Sequence, residues 1–475
     1  VLFNSLQFAV FFAVVLGLYA VLSHRNQNRL LLVASYIFYG AWDYRFLLLL
    51  IFSTLVDFSV SVALAQEREP RWRKRWLFLS IAFNLGILGF FKYFNFFATS
   101  FVDLAAVFGL SVSPVMLNVV LPVGISFYTF QSMSYTIDVY RGKVDATRRL
   151  ADYALFVAFF PQLLAGPIER ARRLLPQIQQ PRTLTAGNIG AGLYLVLLGL
   201  FKKVVIADNL AGPVDAIFRQ SNPSGELVVM GTLYFAFQIY CDFSGYSDMA
   251  RGLARMLGFD LMVNFRQPFF SKSPGELLRR WHISLGSWLR DYLFQPLGGM
   301  TRNHWRTARN ITITMLLAGL WHGAAWNFVL WGLYLTLTLV AYRLYDVFVQ
   351  PRVNRAFAGA AWWRIARGIT ARGVMFLGTL YAFLIFRASS LAQVVDLTIA
   401  LGHFQSLAPV LVMGSKFLLL TAPIILLDLY EYRTNKQDSF ARWPVLAQAV
   451  TYASSLLLFV TIGEYDAASF IYFQF

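Results

Sequence analysis

The chain has 475 residues, of which 58% are hydrophobic and only 14% charged, and its mean hydropathy is +0.56. Ordinary soluble proteins carry roughly 25% charged residues, so a soluble enzyme, a secreted disulfide scaffold and a disordered chain are all excluded. The net charge of +17 would suggest nucleic acid in a soluble protein; in a chain this apolar it reads as basic loops held against anionic lipid.

At about 20 residues per crossing, the apolar runs hold material for roughly ten membrane spans. Val1 to Ser23 shows neither a basic leader nor a small-residue cleavage site, and is expected to be a retained first membrane helix. Clear spans are predicted at 3–22, 46–65, 77–97, 188–206, 227–247, 311–342, 373–386, 407–429 and 446–463, and weaker ones around 30–42, 116–137 and 151–168. Residues 311–342 exceed one upright crossing, so a tilt or a break near Gly319 and Gly323 is expected. Pro122 and Gly124 interrupt one weak run, and Pro161, Gly166 and Pro167 another. Such segments are either kinked helices or irregular elements covered by protein or a cavity.

Charge placement gives a sidedness. Between Arg251 and Arg309 lie ten basic residues and three acids, Asp260, Glu276 and Asp291. The positive-inside rule places this stretch, and the Arg71–Arg75 cluster, on the cytoplasmic side. With no internal repeat or soluble linker, residues 1–475 read as one integral membrane domain. Within 251–309, Ser273-Pro274-Gly275-Glu276 has the form of a helix start, with a serine cap, proline at the first position and glutamate three residues after the cap. Leu277, Trp281, Leu285, Trp288 and Leu289 follow at helical spacing, while Arg279, Arg280 and Arg290 fall mostly elsewhere. An amphipathic interfacial helix is expected here, with His282 beside its apolar face.

Five histidines are present. His24, His304 and His403 lie in loops or turns and read as solvated. His322 occupies an apolar segment between Trp321 and Gly323, where a polar side chain is a functional-site hypothesis by default; the competing reading is a structural hydrogen bond between helices. Imidazole suits proton transfer near neutral pH, and Gly323, Ala324 and Ala325 leave room beside it. A second polar cluster at 238–250 contains Asp242, Ser244, Tyr246, Ser247 and Asp248; its acids either line a polar entry and orient a histidine, or pair with Arg251 and Arg255 at a helix end. Ser244 has no G-x-S-x-G elbow around it. No H-E-x-x-H, P-loop or G-x-G-x-x-G occurs, and the single cysteine, Cys241, leaves no Cys-rich metal or disulfide chemistry. No metal site and no bound cofactor are expected.

RRWHISLGSWLRDYL at 279–293 and GLWHGAAW at 319–326 resemble the signature of the membrane-bound O-acyltransferase family. LPVGISFYTFQSMSYTIDVYRG (121–142), FFPQLLAGPIER (159–170), YCDFSGYSDMA (240–250) and the terminal FIYFQF (470–475) are similar to its bacterial branch. The resemblance covers most of the chain. It implies an all-α polytopic protein of the bacterial inner membrane, a ring of about ten to twelve tilted helices with interfacial and re-entrant elements around a central funnel. It further implies His322 as catalytic residue and His282 as the second histidine, near the cytoplasmic end of that funnel.

The expected reaction is transfer of an acetyl group from cytoplasmic acetyl-CoA, a substrate rather than a bound cofactor, for O-acetylation of an exopolysaccharide, alginate first. Bacterial cellulose or another envelope polymer is the alternative. Donor- or substrate-binding candidates are Trp321, Asp242, Tyr246, Ser247, Asp248, Arg279, Arg280, Trp281, Arg290 and Asp291. The implied partners are a periplasmic SGNH-like acetyltransferase or acyl carrier, a polysaccharide synthesis and secretion complex, and anionic lipid, with no nucleic acid. A transporter using the same polar cavity and a non-catalytic assembly subunit are the competing readings.

Overall fold

The computed structural model describes residues 3–164, 166–357, 360–437, 443–464 and 470–471, and their regular elements are all helical. Eight helices among these residues are long and apolar enough to cross a membrane: Tyr44–Gln66, Pro70–Val107, Ala186–Phe218, Gly225–Met256, Trp326–Ala356, Trp362–Arg387, Ala408–Thr434 and Val445–Ile462. Two shorter apolar helices, Leu6–Val21 and Leu391–Ala400, accompany them. The protein is an all-α, multi-pass membrane protein. Rows of exposed leucine, valine and phenylalanine, such as Leu411, Leu418, Leu419 and Leu426, run along these helices. In lipid such rows need no further cover.

Close packing divides the chain into two interleaved units, Val1–Leu197 with Tyr246–Met262, and Leu198–Gly245 with Val263–Phe475. In the first, the helical parts of the weak runs at 116–137 and 151–168 are interior elements. The 116–137 run becomes a helix only from Ile125 to Tyr140, preceded by irregular chain. The 151–168 run breaks into Leu150–Ala158 and Phe160–Leu163. Their freed polar groups are satisfied from within, as the absence of water demands. The Phe160 amide donates to Ser35 Oγ at 3.0 Å, Gln131 donates to the Phe156 carbonyl at 2.5 Å, and the Tyr39 hydroxyl donates to the Val123 carbonyl at 2.9 Å.

In the second unit, the Gly225–Met256 helix is mostly buried up to Gly245. It carries a carboxylate into the interior: Asp242 meets the Lys203 amine at 2.8 Å, and the same amine meets Asp208 at 2.8 Å. Lys203 lies in a π-helical turn, Phe201–Ala207, within the Ala186–Phe218 span. The other Asp242 oxygen accepts the Ile471 amide at 2.8 Å, which ties the described end of the chain to this helix. A buried charge is tolerated only when paired and hydrogen-bonded in this way.

The expected long span 311–342 is two helices, His304–His322 and Trp326–Leu344, separated by Gly323, Ala324 and Ala325, of which the first and last are extended. They pack against each other almost backbone to backbone. A Cβ on Gly319 would lie 2.1 Å from the Phe328 carbonyl oxygen, and one on Gly332 2.4 Å from that of Met315. Only glycine permits this approach.

The amphipathic helix expected from Pro274 onward is also corrected. Ser273 caps it as expected, accepting the Glu276 amide at 3.1 Å, but the helix stops at Leu278. A second one runs from Ile283 to Leu289 and continues as a π-helical turn to Phe294. Between them His282 has φ 44° and ψ 53°, in the left-handed region. The cause is Asn264: its carbonyl accepts the Ile283 amide at 2.9 Å, and its side chain accepts both the amide and the hydroxyl of Ser284 at 3.1 and 2.9 Å. These bonds cap a new helix where a continuous one would have used the carbonyls of Arg279 and Arg280.

Two stability outcomes follow. Gly319→Ala and Gly332→Ala should each lower stability by about 1–3 kcal/mol through overpacking, read as a fall in the melting temperature of the detergent-purified protein. Lys203→Met should cost about 3–5 kcal/mol by stranding two buried carboxylates, and adding Asp242→Asn should recover part of it.

Candidate active site

The short helices after Ser273 and the helix pair joined at Gly323–Ala325 enclose a cavity of about 670 Å³. His282 and His322 line it together with Trp281, Arg279, Arg290 and Trp331, and most of the remaining wall is aliphatic, from Leu285, Leu289, Ile311, Met315, Leu335 and Leu339. Residues distant in sequence, and expected on quite different elements, thus meet in one chamber.

His322 is the last residue of its helix and His282 the first before the next, so each imidazole is placed by a helix end. The two ring centroids are 6.5 Å apart. Aromatic edges hold His322: Trp321 at 5.0 Å, Trp331 at 5.1 Å and Phe386 at 5.3 Å, all near perpendicular. His282 packs edge-on against Phe243 at 4.6 Å and lies 5.7 Å from Trp321. Phe243 follows Asp242, so the ion cluster that fixes the Gly225–Met256 helix also fixes the ring behind His282.

Burial, and secondarily the neighbouring His322, pushes the His282 imidazole well below its ordinary pKa of 6.5. It is therefore uncharged at neutral pH, able to accept or donate a hydrogen bond but not to act as a fixed cation.

The remaining candidates divide by position. Trp281, Arg279 and Arg290 line the cavity, with Arg290 also bonded through Nε to Asp291 at 2.8 Å. Trp321 touches both histidines, and neither it nor Asp291 forms part of the wall. Arg280 is turned to other work: it donates to Glu276 at 2.9 Å and to the Arg266 carbonyl at 3.0 Å, and lies over the Tyr432 ring. Asp242 is engaged by Lys203 and Ile471 rather than lining the chamber. Tyr246, Ser247 and Asp248 belong to the first unit, where Tyr246 packs against Phe3 and Asp248 meets Arg251 at 3.3 Å.

Sequence reasoning missed Trp331, Phe386, Arg343 and Lys203. For Trp331 and Arg343 a signal existed: residues 331, 335, 339, 342, 343 and 346 recur at helical spacing and all face the cavity. Nothing local marks Phe386 as a neighbour of His322.

Residues 145–383 match the membrane-bound O-acyltransferase family. The chain belongs to that family. Among its relatives is the probable alginate O-acetylase of Pseudomonas putida, 38% identical over 490 residues, covering 98% of both chains. The probable alginate O-acetylase of Pseudomonas aeruginosa is 43% identical over 80% of this chain and 71% of its own length. The peptidoglycan O-acetyltransferase of Helicobacter pylori is 36% identical over 66% of this chain and 64% of its own. The protein is an O-acyltransferase. Of the matching motifs, those around both histidines and at 240–250 lie in described residues; of the terminal one, residues 472–475 lie outside them.

The lowered affinity of His282 for a proton has a measurable consequence. Below pH 6.5 the unfolded chain protonates this histidine while the folded one does not, so stability falls as the pH falls, by up to about 1.4 kcal/mol per pH unit. His282→Asn, whose side chain tolerates the left-handed backbone, should lose that share of the slope. Melting temperatures of the two proteins between pH 7.5 and 5.5 check this; parallel curves would count against it.

Proposed function

We propose that the cavity receives the acetyl thioester of acetyl-CoA and that His322 is the catalytic base of acetyl transfer for the O-acetylation of an exopolysaccharide, alginate first. The observation that carries this reading is the pairing of two buried histidines with a cavity wall that includes three arginines, Arg279, Arg290 and Arg343, and one carboxylate, Asp346. The imidazoles suit proton transfer at the reacting bond, and the arginines suit the phosphates of a coenzyme. The family supports acyl transfer, and the names of the relatives support a polymer as destination, with acetyl as the group moved.

In the proposed reaction, His322 takes the proton of an attacking hydroxyl as its oxygen bonds to the thioester carbonyl carbon. The tetrahedral intermediate collapses with cleavage of the carbon–sulfur bond, and the proton passes to the departing thiolate. The products are an O-acetyl ester and free CoA, with no net proton consumed. His282, uncharged beside it, positions the donor or shares that proton. The developing oxyanion needs a hydrogen-bond donor from the cavity wall.

The strongly basic stretch 251–309 supports binding of CoA from the cytoplasmic side of the bacterial inner membrane, with the acetyl group passed across or within it. Outside, the proposed acceptor is a periplasmic SGNH-like acetyltransferase or acyl carrier that works with the polysaccharide synthesis and secretion complex.

The test is turnover. Purified protein given acetyl-CoA and an acceptor hydroxyl should release CoA and form an ester. His322→Ala should lower that rate by about 10²–10⁴-fold, the usual weight of a general base, with its melting temperature retained. Wild-type turnover by the variant would sink the assignment.

A further inference from the structure

The interior of the first unit holds a carboxylate that the proposed reaction does not use. Asp57 lies well inside the membrane-spanning helix Tyr44–Gln66, about 20 Å along the axis from its first residue and about 14 Å from its last. The residue is fully buried. Its side-chain contacts among the described residues are all with neutral groups, and none is with a lysine, arginine or histidine. In the second unit, by contrast, Lys203 answers both of the buried acids beside it.

Two side chains of the helical span Pro70–Val107 reach the carboxylate. The Ser80 hydroxyl donates to one oxygen at 2.6 Å, and the Asn84 amide nitrogen donates to both, at 3.0 and 2.9 Å. Hydroxyl bonds to an ionised carboxylate run at about 2.5–2.7 Å, and those between neutral oxygens are longer. The geometry is that of an anion. Neutral donors leave its charge in place, and in a lipid-embedded interior a charge is kept only with a counter-charge.

Oxygens for that counter-charge stand beside it. The Asn84 side-chain oxygen is buried and has no hydrogen-bond partner among the described residues. It is carried on the same planar amide whose nitrogen touches both Asp57 oxygens, so it stays next to the carboxylate. Ser53 lies one turn before Asp57 on the same helix face, and its hydroxyl too is buried without a partner among them. Its neighbours on this helix behave otherwise: the hydroxyls of Thr54 and Ser61 bond back to the carbonyls of Leu50 and Asp57, each at 2.7 Å.

We infer that Asp57, Ser53, Ser80 and Asn84 form a binding site for a sodium ion. Carboxylate, hydroxyl and amide oxygens are the hard ligands that alkali and alkaline-earth cations take. One carboxylate among neutral oxygens selects a monovalent ion, since a divalent one would leave an uncompensated positive charge buried in lipid. Neither histidine nor cysteine takes part, so the sequence patterns of transition-metal sites pass over it. The four residues also precede the stretch 145–383 that matches the family. An ion held here joins the helix Tyr44–Gln66 to the span Pro70–Val107, and its occupancy is read as stability.

The test is thermal melting of the detergent-purified full chain in the chlorides of sodium, potassium and N-methylglucamine, at one pH and one ionic strength. Sodium should raise the melting temperature saturably, by a few degrees over the other two. Asp57→Asn, which replaces the anion by a neutral amide of the same shape, should melt alike in all three salts. Ser53→Ala removes one ligand with the least disturbance and should raise the sodium concentration at half effect by about 10- to 100-fold. This second variant serves if the first does not fold.

A melting temperature that ignores sodium, or rises equally with potassium, would overturn the site, as would an Asp57→Asn protein that keeps the sodium response. Stabilisation on lowering the pH with no response to sodium would identify a bound proton in place of the ion, and would overturn it equally.

Discussion

Two helix backbones that nearly touch are the constraint on which the rest of the second unit depends. Without side chains at Gly319 and Gly332, the helices ending at His322 and starting at Trp326 close to a separation that no Cβ would allow. The chain can then reverse across Gly323, Ala324 and Ala325 with His322 left at the turn. Dispersion between such closely fitted backbones is the main attraction available in lipid, where apolar side chains gain little by meeting one another. The same fit sets the direction of the returning helix, and hence which of its residues look into the chamber. Trp331 backs the imidazole because Gly332, its neighbour, lies against Met315.

A second constraint acts on the polar groups. A helix interior surrounded by lipid offers no water, so each buried charge has to find its counterpart in the protein. Lys203 answers two carboxylates, and Asp242 answers both a lysine and a backbone amide. These bonds fix Phe243, and Phe243 fixes the imidazole of His282 from behind. The left-handed backbone at His282 is a strain of about 1–3 kcal/mol that persists because neighbours over-determine it, here Asn264 on one side and the Phe243 ring on the other. The result is a ring aimed by backbone geometry rather than by rotamer choice alone.

Much of the fold was legible because hydropathy is read by counting. The spans at 46–65, 407–429 and 446–463 lie within a few residues of the observed helices, since in each of them apolar length alone decides the outcome. Periodicity misled where a distant residue intervened. The stretch after Ser273 has helical spacing throughout, and its first turn forms as expected, but Asn264 supplies better partners for the amides of Ile283 and Ser284 than the helix could. No local signal at 279–283, neither proline nor glycine, announces that competition. Likewise the acids at 240–250 could be seen as a polar cluster, but not which of them would meet Lys203. The histidines stood out because each is rare in its surroundings; Phe386 was hidden because phenylalanine is everywhere in this chain.

The distribution of arginine partners separates structural cations from those free to bind. Arg173 meets Asp260, and Arg182 is consumed by Tyr19, Asn28 and the carbonyls of Gln177 and Ile178. Arg280 spans Glu276 and the Arg266 carbonyl. In each case the guanidinium joins segments distant in sequence or closes a turn, and its charge is spent in doing so. Arg343 likewise joins the Thr301 carbonyl, but it pairs with no carboxylate among the described residues and its Nε is buried without an acceptor among them. A side chain of that kind is stable only if its remaining donors reach water or an anion for much of the time.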